Sequence, residues 1–263
     1  MRAMIMRTTI RAGIVAILVS SAVTLSPAAS REASRAPDTD IPETTRIGIL
    51  KANAGSFDQA LNLFNDSLKG STRNVAALFN RGKVYLLQGR MDRAIQDLDK
   101  AIKLDPELAG AYVARGAAYR LQGDYTRALK DLTKAISLEP QNTTALNHRA
   151  ALYFDTGEQE KALEDLSRIV QINPRLIRAL GNRAYILEQM GRYDDAIKDL
   201  STILTQDQNN LMAIKHLGFI YRQKGELLDA LRWYQMALSL EGNASKKKRI
   251  GKEIVEIEKK AAK

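Results

Sequence analysis

Histidine is the side chain most often recruited for acid–base work and metal binding near neutral pH, and the chain has two, His148 and His216. They stand two copies apart in a 34-residue period. That is on the order of 20 Å if helix layers are about 10 Å thick, too far to share a metal. Two further series have the spacing for chemistry. Arg81, Arg115, Arg149 and Arg183 recur at the same interval, and a ladder of guanidinium groups is a ready holder of phosphates or carboxylates. Asp97, Asp131, Asp165 and Asp199 recur in step with them. Each arginine lies eight residues before a glycine and each aspartate eight after it. On antiparallel helices rising ~1.5 Å per residue, both sit about 12 Å from the turn. This predicts structural ion pairs inside each hairpin rather than a ligand site. The chain contains no glycine-rich phosphate loop, no Gly-x-Ser-x-Gly and no His-Glu-x-x-His. It has no cysteine, which removes disulfides, thiolate metal sites, a cysteine nucleophile and a lipidated cysteine. The plentiful Asp and Glu fall mostly at surface phases of helices, so neither an enzyme activity nor a cofactor is expected.

The elements that position these residues follow from the period itself. Gly55, Gly89, Gly123, Gly157, Gly191 and Gly225 recur every 34 residues, and Ala60, Ala94, Ala128, Ala162, Ala196 and Ala230 follow each by five. Around each glycine lie two amphipathic stretches of about a dozen residues, such as 76–88 and 91–104, with apolar residues at spacings of three and four. Each repeat therefore reads as a helical hairpin turning at its glycine, which reaches a left-handed conformation at little steric cost. Seven residues earlier the chain is always small, at Gly48, Gly82, Gly116, Ala150, Ala184 and Gly218, so the two helices can approach closely. Leu98, Leu132, Leu166 and Leu200, with Phe64 and Tyr234 in the end repeats, should fill the interior. Pro106, Pro140 and Pro174 should close the second helices.

The formal charge of +10 is concentrated at the two ends. Arg2, Arg7 and Arg11 contribute +3, and from Lys246 onward eight basic residues against three glutamates contribute +5, which leaves +2 for everything between. A nucleic-acid surface is not what that distribution describes. Residues 12–25 form an apolar run after the arginines, followed by Ser26, Pro27, Ala28, Ala29 and Ser30. That order is expected of a signal peptide over residues 1–30. An apolar run of 14 residues makes a helix of roughly 21 Å, short of the ~30 Å hydrocarbon core. Cleavage near Ala28 or Ser30 and export to the periplasm or beyond are expected, the alternative being an uncleaved anchor in the inner membrane. Residues 31–40 read as a flexible linker. After Asn243, the stripe Ile250, Ile254, Val255 and Ile257 predicts a last helix that covers the open end of the repeats with its lysines in water.

This pattern resembles the tetratricopeptide repeat family, whose repeat has small residues at its eighth and twentieth positions, an aromatic at the eleventh and proline at the thirty-second. Tyr85, Tyr119, Tyr153 and Tyr221 match the aromatic, while Lys51 and Leu187 depart from it. The four arginines stand where the family usually has a large apolar residue at the seventh position. The resemblance implies an all-α, right-handed superhelical solenoid of six helix-turn-helix repeats, at 41–74, 75–108, 109–142, 143–176, 177–210 and 211–244, with a basic capping helix over 245–263. It further implies a concave groove lined by first helices and holding Phe79, Asn80, Lys83, Arg120, Asn147, His148, Phe154, Arg178, Asn182, Tyr185, His216, Phe219 and Arg222. Aromatics interleaved with amides and bases suit an extended peptide. Asn80 and Asn182 match the central asparagine of the family's two-carboxylate clamp, but the positions flanking them do not supply its lysine and arginine. The resemblance thus implies a non-catalytic scaffold for a protein or peptide partner. Contact of the basic C-terminus with a membrane surface or anionic polymer, and assembly into a homo-oligomer, are the competing readings.

Overall fold

A computed structural model describes residues 41–262, so the expected signal peptide 1–30 and linker 31–40 lie outside the described residues. Among these residues there are thirteen helices and no strand. The chain divides into two compact units, the first ending at Thr156 and the second beginning at Gly157. The first unit contains α1 (Glu43–Asn53), α2 (Phe57–Gly70), α3 (Val75–Leu87), α4 (Met91–Leu104), α5 (Ala109–Leu121), α6 (Tyr125–Leu138) and α7 (Thr143–Asp155). The second contains α8 (Gln159–Ile172), α9 (Ile177–Gln189), α10 (Tyr193–Gln206), α11 (Leu211–Lys224), α12 (Leu227–Leu240) and α13 (Ala244–Ala261).

Many of the helix boundaries have a local cause. The six turn glycines adopt φ between 73° and 84°, and no other residue type among those described has a positive φ. At Gly89 the glycine N–H donates to the Leu86 carbonyl (3.1 Å) and the next N–H, of Arg90, donates to the Tyr85 carbonyl (2.8 Å). This is the paired closure in which a left-handed residue satisfies the last carbonyls of a helix. The same pair of bonds recurs at Gly55, Gly123, Gly191 and Gly225. First helices in alternate repeats start on an asparagine cap: Asn74, Asn142 and Asn210 accept from the N–H groups of Ala77, Ala145 and Ala213 at 3.0, 2.9 and 3.1 Å. The second helices ending at Leu104, Leu138 and Ile172 are each followed two residues later by proline.

The small residues expected to allow close approach do so. A Cβ placed on Gly82 would lie 2.9 Å from Leu98 Cγ, one on Gly116 would lie 2.9 Å from Leu132 Cγ, and one on Gly48 would lie 2.7 Å from Phe64 Cε1. Leu98, Leu132, Leu200 and Phe64 are completely buried in consequence. In the second unit the core continues into the C-terminal helix. Ile250, Ile254 and Ile257 of α13 are buried with Ile214, Ala230, Tyr234 and Ala237. Val255, counted in the apolar stripe, instead faces out and is 47% exposed. With burial at 250, 254 and 257, the spacing of three and four points the intervening 255 away from α12. Lys246, Lys247, Lys248, Arg249 and Lys252 are exposed, as expected of a helix that buries only one face.

Ile257→Ala is expected to destabilise the second unit by roughly 2–4 kcal/mol, and Val255→Ala to change it by less than ~0.5 kcal/mol. Urea unfolding of both variants checks the pair; equal losses would mean that α13 is not seated through its isoleucines.

Candidate functional site

Three of the four arginine–aspartate couples form hydrogen-bonded ion pairs within their hairpins. Arg81 donates from Nε and Nη2 to Asp97 Oδ2 and Oδ1 at 2.6 and 2.8 Å. Arg115 does the same to Asp131 at 2.8 and 2.8 Å, and Arg183 to Asp199 at 2.8 and 2.6 Å. Arg149 and Asp165, the fourth expected pair, belong to different units. Each of the three forks has a further arm that the sequence reading missed. Nη1 reaches back to the second helix of the preceding repeat, to Asn65 Oδ1 (2.6 Å), Asp99 Oδ1 (2.6 Å) and Ser167 Oγ (3.3 Å). These acceptors lie sixteen residues before their arginines, as the aspartates lie sixteen after. A search for polar residues on both sides of the arginine would have found them. Hydrogen bonds donated to Asp97 and Asp199 hold the Arg81 and Arg183 guanidinium groups above their ordinary pKa, against opposing burial. For Arg115 burial is the largest effect and acts against the charge, yet its bonds to Asp131 and Asp99 together raise the pKa. In each of the three, Nε, Nη1 and Nη2 all donate to acceptors within the chain.

The residues implied to line the groove fall at three depths. Phe79, Asn80, Lys83, Arg120, Asn147, His148, Asn182 and Tyr185 are buried; Phe154, His216, Phe219 and Arg222 are half-buried; Arg178 is exposed. In the first unit, Phe79 packs against the next repeat: a Cβ on Gly110 would come within 3.1 Å of its Cζ. Lys83 Nζ stands 5.1 Å above the Phe79 ring, Asn80 Nδ2 donates to the Ala76 carbonyl at 2.9 Å, and Arg120 donates to Asp155 at 2.5 Å. In the second unit, His216 Nδ1 lies 2.6 Å from Glu188 Oε2, with the Tyr185 ring edge-on at 6.2 Å. Arg222 donates to Glu253 of α13. Lys215 donates to Glu241 at 2.6 Å, and that bond, followed by one from the Asn243 N–H, holds the Glu241 carboxyl below its ordinary pKa. Glu188 and Glu241 correct the expectation that acidic residues sit at surface phases, since both are buried. Burial is tolerable because each faces a base. Neither was legible, because 28 and 26 residues separate them from those partners, outside any single-helix pattern. Among the described residues no group of three or more His, Cys, Asp or Glu could hold a metal. No described helix is long and apolar enough to cross a membrane.

Tandem helical hairpins, each closed by a left-handed glycine and three of them joined to the preceding repeat by a guanidinium arm, define an α-hairpin repeat scaffold. Tetratricopeptide repeat signatures match residues 45–109 and 182–246, 109–142, and 143–176. The chain belongs to the tetratricopeptide repeat family, and fold and family support a protein-interaction scaffold. Among solved structures, MamA is 31% identical, with 62% of this chain and 95% of that one covered and a TM-score of 0.55. YrrB, a TPR protein described as having an unusual peptide-binding site, is 21% identical over 72% of this chain and 97% of its own, with a TM-score of 0.59. A tetratricopeptide repeat protein from Parabacteroides merdae shares 23% identity over 90% of this chain and 92% of its own, with a TM-score of 0.59. No curated protein matches the chain in sequence.

Asp131→Ala alone should destabilise the first unit by roughly 1–3 kcal/mol more than Arg115→Leu combined with Asp131→Leu, because it leaves Nε and Nη2 of a guanidinium only 18% exposed without their acceptors, with Nη1 alone still bound to Asp99. Asp99, the other partner of Arg115, is 51% exposed and is solvated by water when the arginine is gone. Coincident thermal midpoints for the two variants would reject the ion pair as a buried one.

Proposed function

We propose that the protein is an exported, periplasmic scaffold that binds a peptide or protein partner on the first helices of its repeats. The observation that carries this reading is on α9 and α11. Arg178 is exposed and has no ion-pair partner among the described residues, while His216, Phe219 and Arg222 remain half-exposed on the neighbouring first helix. A base, an aromatic and an imidazole at the surface match what an extended peptide requires: apolar contact for its side chains and hydrogen-bonding groups for its backbone. The buried members of the series, such as Asn182 and Tyr185, hold that surface in place. The description of YrrB as carrying a peptide-binding site supports the same class of ligand. The three leader arginines, the apolar run after them and the small residues at 26–30 support export.

Two measurements test the two halves of the proposal. Affinity capture from native envelope extract should retain a partner on the intact protein and lose it with Phe219→Ala plus Arg178→Ala, whose positions are not fully buried and leave the fold standing. Identical capture by both proteins removes the first helices of the second unit as the site. Cell fractionation with N-terminal sequencing of the purified protein should find it in the periplasm beginning near residue 29 or 31. An intact leader on a membrane-bound protein overturns export with cleavage.

A further inference from the structure

From the third repeat to the sixth the turn side carries paired charges, a pattern that the second repeat breaks. Two positions matter in each repeat: the residue directly after the turn glycine, and the residue three further on, in the first turn of the second helix. The first repeat, with Ser56 and Gln59 at these positions, is uncharged there. In the third repeat these are Asp124 and Arg127, joined at 2.6 Å. In the fourth they are Glu158 and Lys161, at 2.5 Å, and in the fifth Arg192 and Asp195, at 2.8 Å. In the sixth both are acidic and each has its own base, Glu226 with Lys224 at 3.1 Å and Asp229 with Arg232 at 3.1 Å. Only in the second repeat are both positions basic. Arg90 and Arg93 are exposed and have no carboxylate partner among the described residues. Both converge on one ring, with their guanidinium carbons 6.0 and 5.8 Å from the Tyr85 centroid. The third guanidinium at that ring, Arg81 at 5.9 Å, is already committed to Asp97 and Asn65.

The neighbouring repeat shows what such a seat accepts. There Arg127 lies 4.3 Å from the centroid of Tyr119, the equivalent of Tyr85, while its Nε donates to the carboxylate of Asp124. Carboxylate, guanidinium and tyrosine ring form one stack built wholly from the chain. In the second repeat the ring and the guanidinium groups remain and the carboxylate is missing, its place on the backbone taken by Arg90. We propose that Arg90, Arg93 and Tyr85 form a binding site for the carboxylate of an acidic segment of a protein partner. The two planar donors take the carboxylate oxygens, and the Tyr85 ring keeps both stacked guanidinium groups in position. The site lies on the turn edge and uses none of the first-helix residues assigned above to peptide binding, so either surface can fail without the other.

The test uses the full-length protein and a fluorescently labelled hexaglutamate peptide, with binding read by anisotropy. Arg93→Asp gives the second repeat the charge order of the fifth, an arrangement the chain already folds with, and should weaken binding about tenfold, as two exposed arginine–carboxylate contacts within their ordinary range provide. Tyr85→Leu should weaken it by a smaller factor. Arg127→Gln removes a guanidinium from the filled seat next door and should leave binding unchanged. Circular dichroism checks that each variant is folded. Equal weakening by Arg127→Gln and Arg93→Asp would mean general attraction to a basic protein and would overturn the site. So would absence of binding by the unaltered protein, or peptide release by inorganic phosphate matching that by sodium chloride at equal ionic strength, combined with no loss in Arg93→Asp.

Discussion

The guanidinium fork between the two helices of a repeat is the interaction on which the register of the middle repeats depends. A planar group with five donors satisfies an aspartate on its own hairpin and still has an arm for the hairpin before it. In Arg81, Arg115 and Arg183 these arms reach residues sixteen before and sixteen after. One side chain thus fixes both the pairing within a repeat and the stacking on its predecessor. A leucine at this position would fill the volume without specifying either. Replacing a buried ion pair with apolar residues is often neutral or stabilising, so what the fork adds is uniqueness of register in an array whose repeats are similar enough to slip. The end repeats have Ile47 and Leu63 or Leu217 and Trp233 at the same positions and so lack the fork.

The same economy governs the first helices. Four charged groups on first helices are matched by a partner within the same unit. Arg120 meets Asp155, His216 meets Glu188, Lys215 meets Glu241, and Arg222 meets Glu253. The last of these ties the C-terminal helix into the polar layer as well as the apolar one, where Ile250, Ile254 and Ile257 bury themselves. A helix attached by both layers closes the second unit, and its lysines are left in water by geometry alone. Beside this internal pairing, Arg178 on a first helix and Arg90 with Arg93 at the second repeat's turn are exposed bases with no ion pair among the described residues.

Much of the architecture was legible because it is local and repeated. Turn glycines, the small residue seven before each and the alanine five after occur in every copy, and each has one consequence, for φ or for interhelical distance. The ion pairs were legible for a related reason: equal distance from a turn puts two residues at one height on antiparallel helices. Val255 was misplaced because a stripe of four apolar residues in eight is wider than the face α12 covers.

By itself the sequence determined the period, the hairpin, its turn and three of the arginine–aspartate pairs, since these depend only on phase along helices joined by a short turn. Tertiary structure alone decided which partners lie across repeats: the backward arm of each fork, the burial of Glu188 against His216, and the seat of α13 through three of its four apolar residues. It also decided which of the residues implied to face a groove are submerged and which reach solvent. The physical reason is that phase fixes the direction a side chain leaves its helix, whereas depth and partner depend on how closely the next helix approaches and on what it presents there.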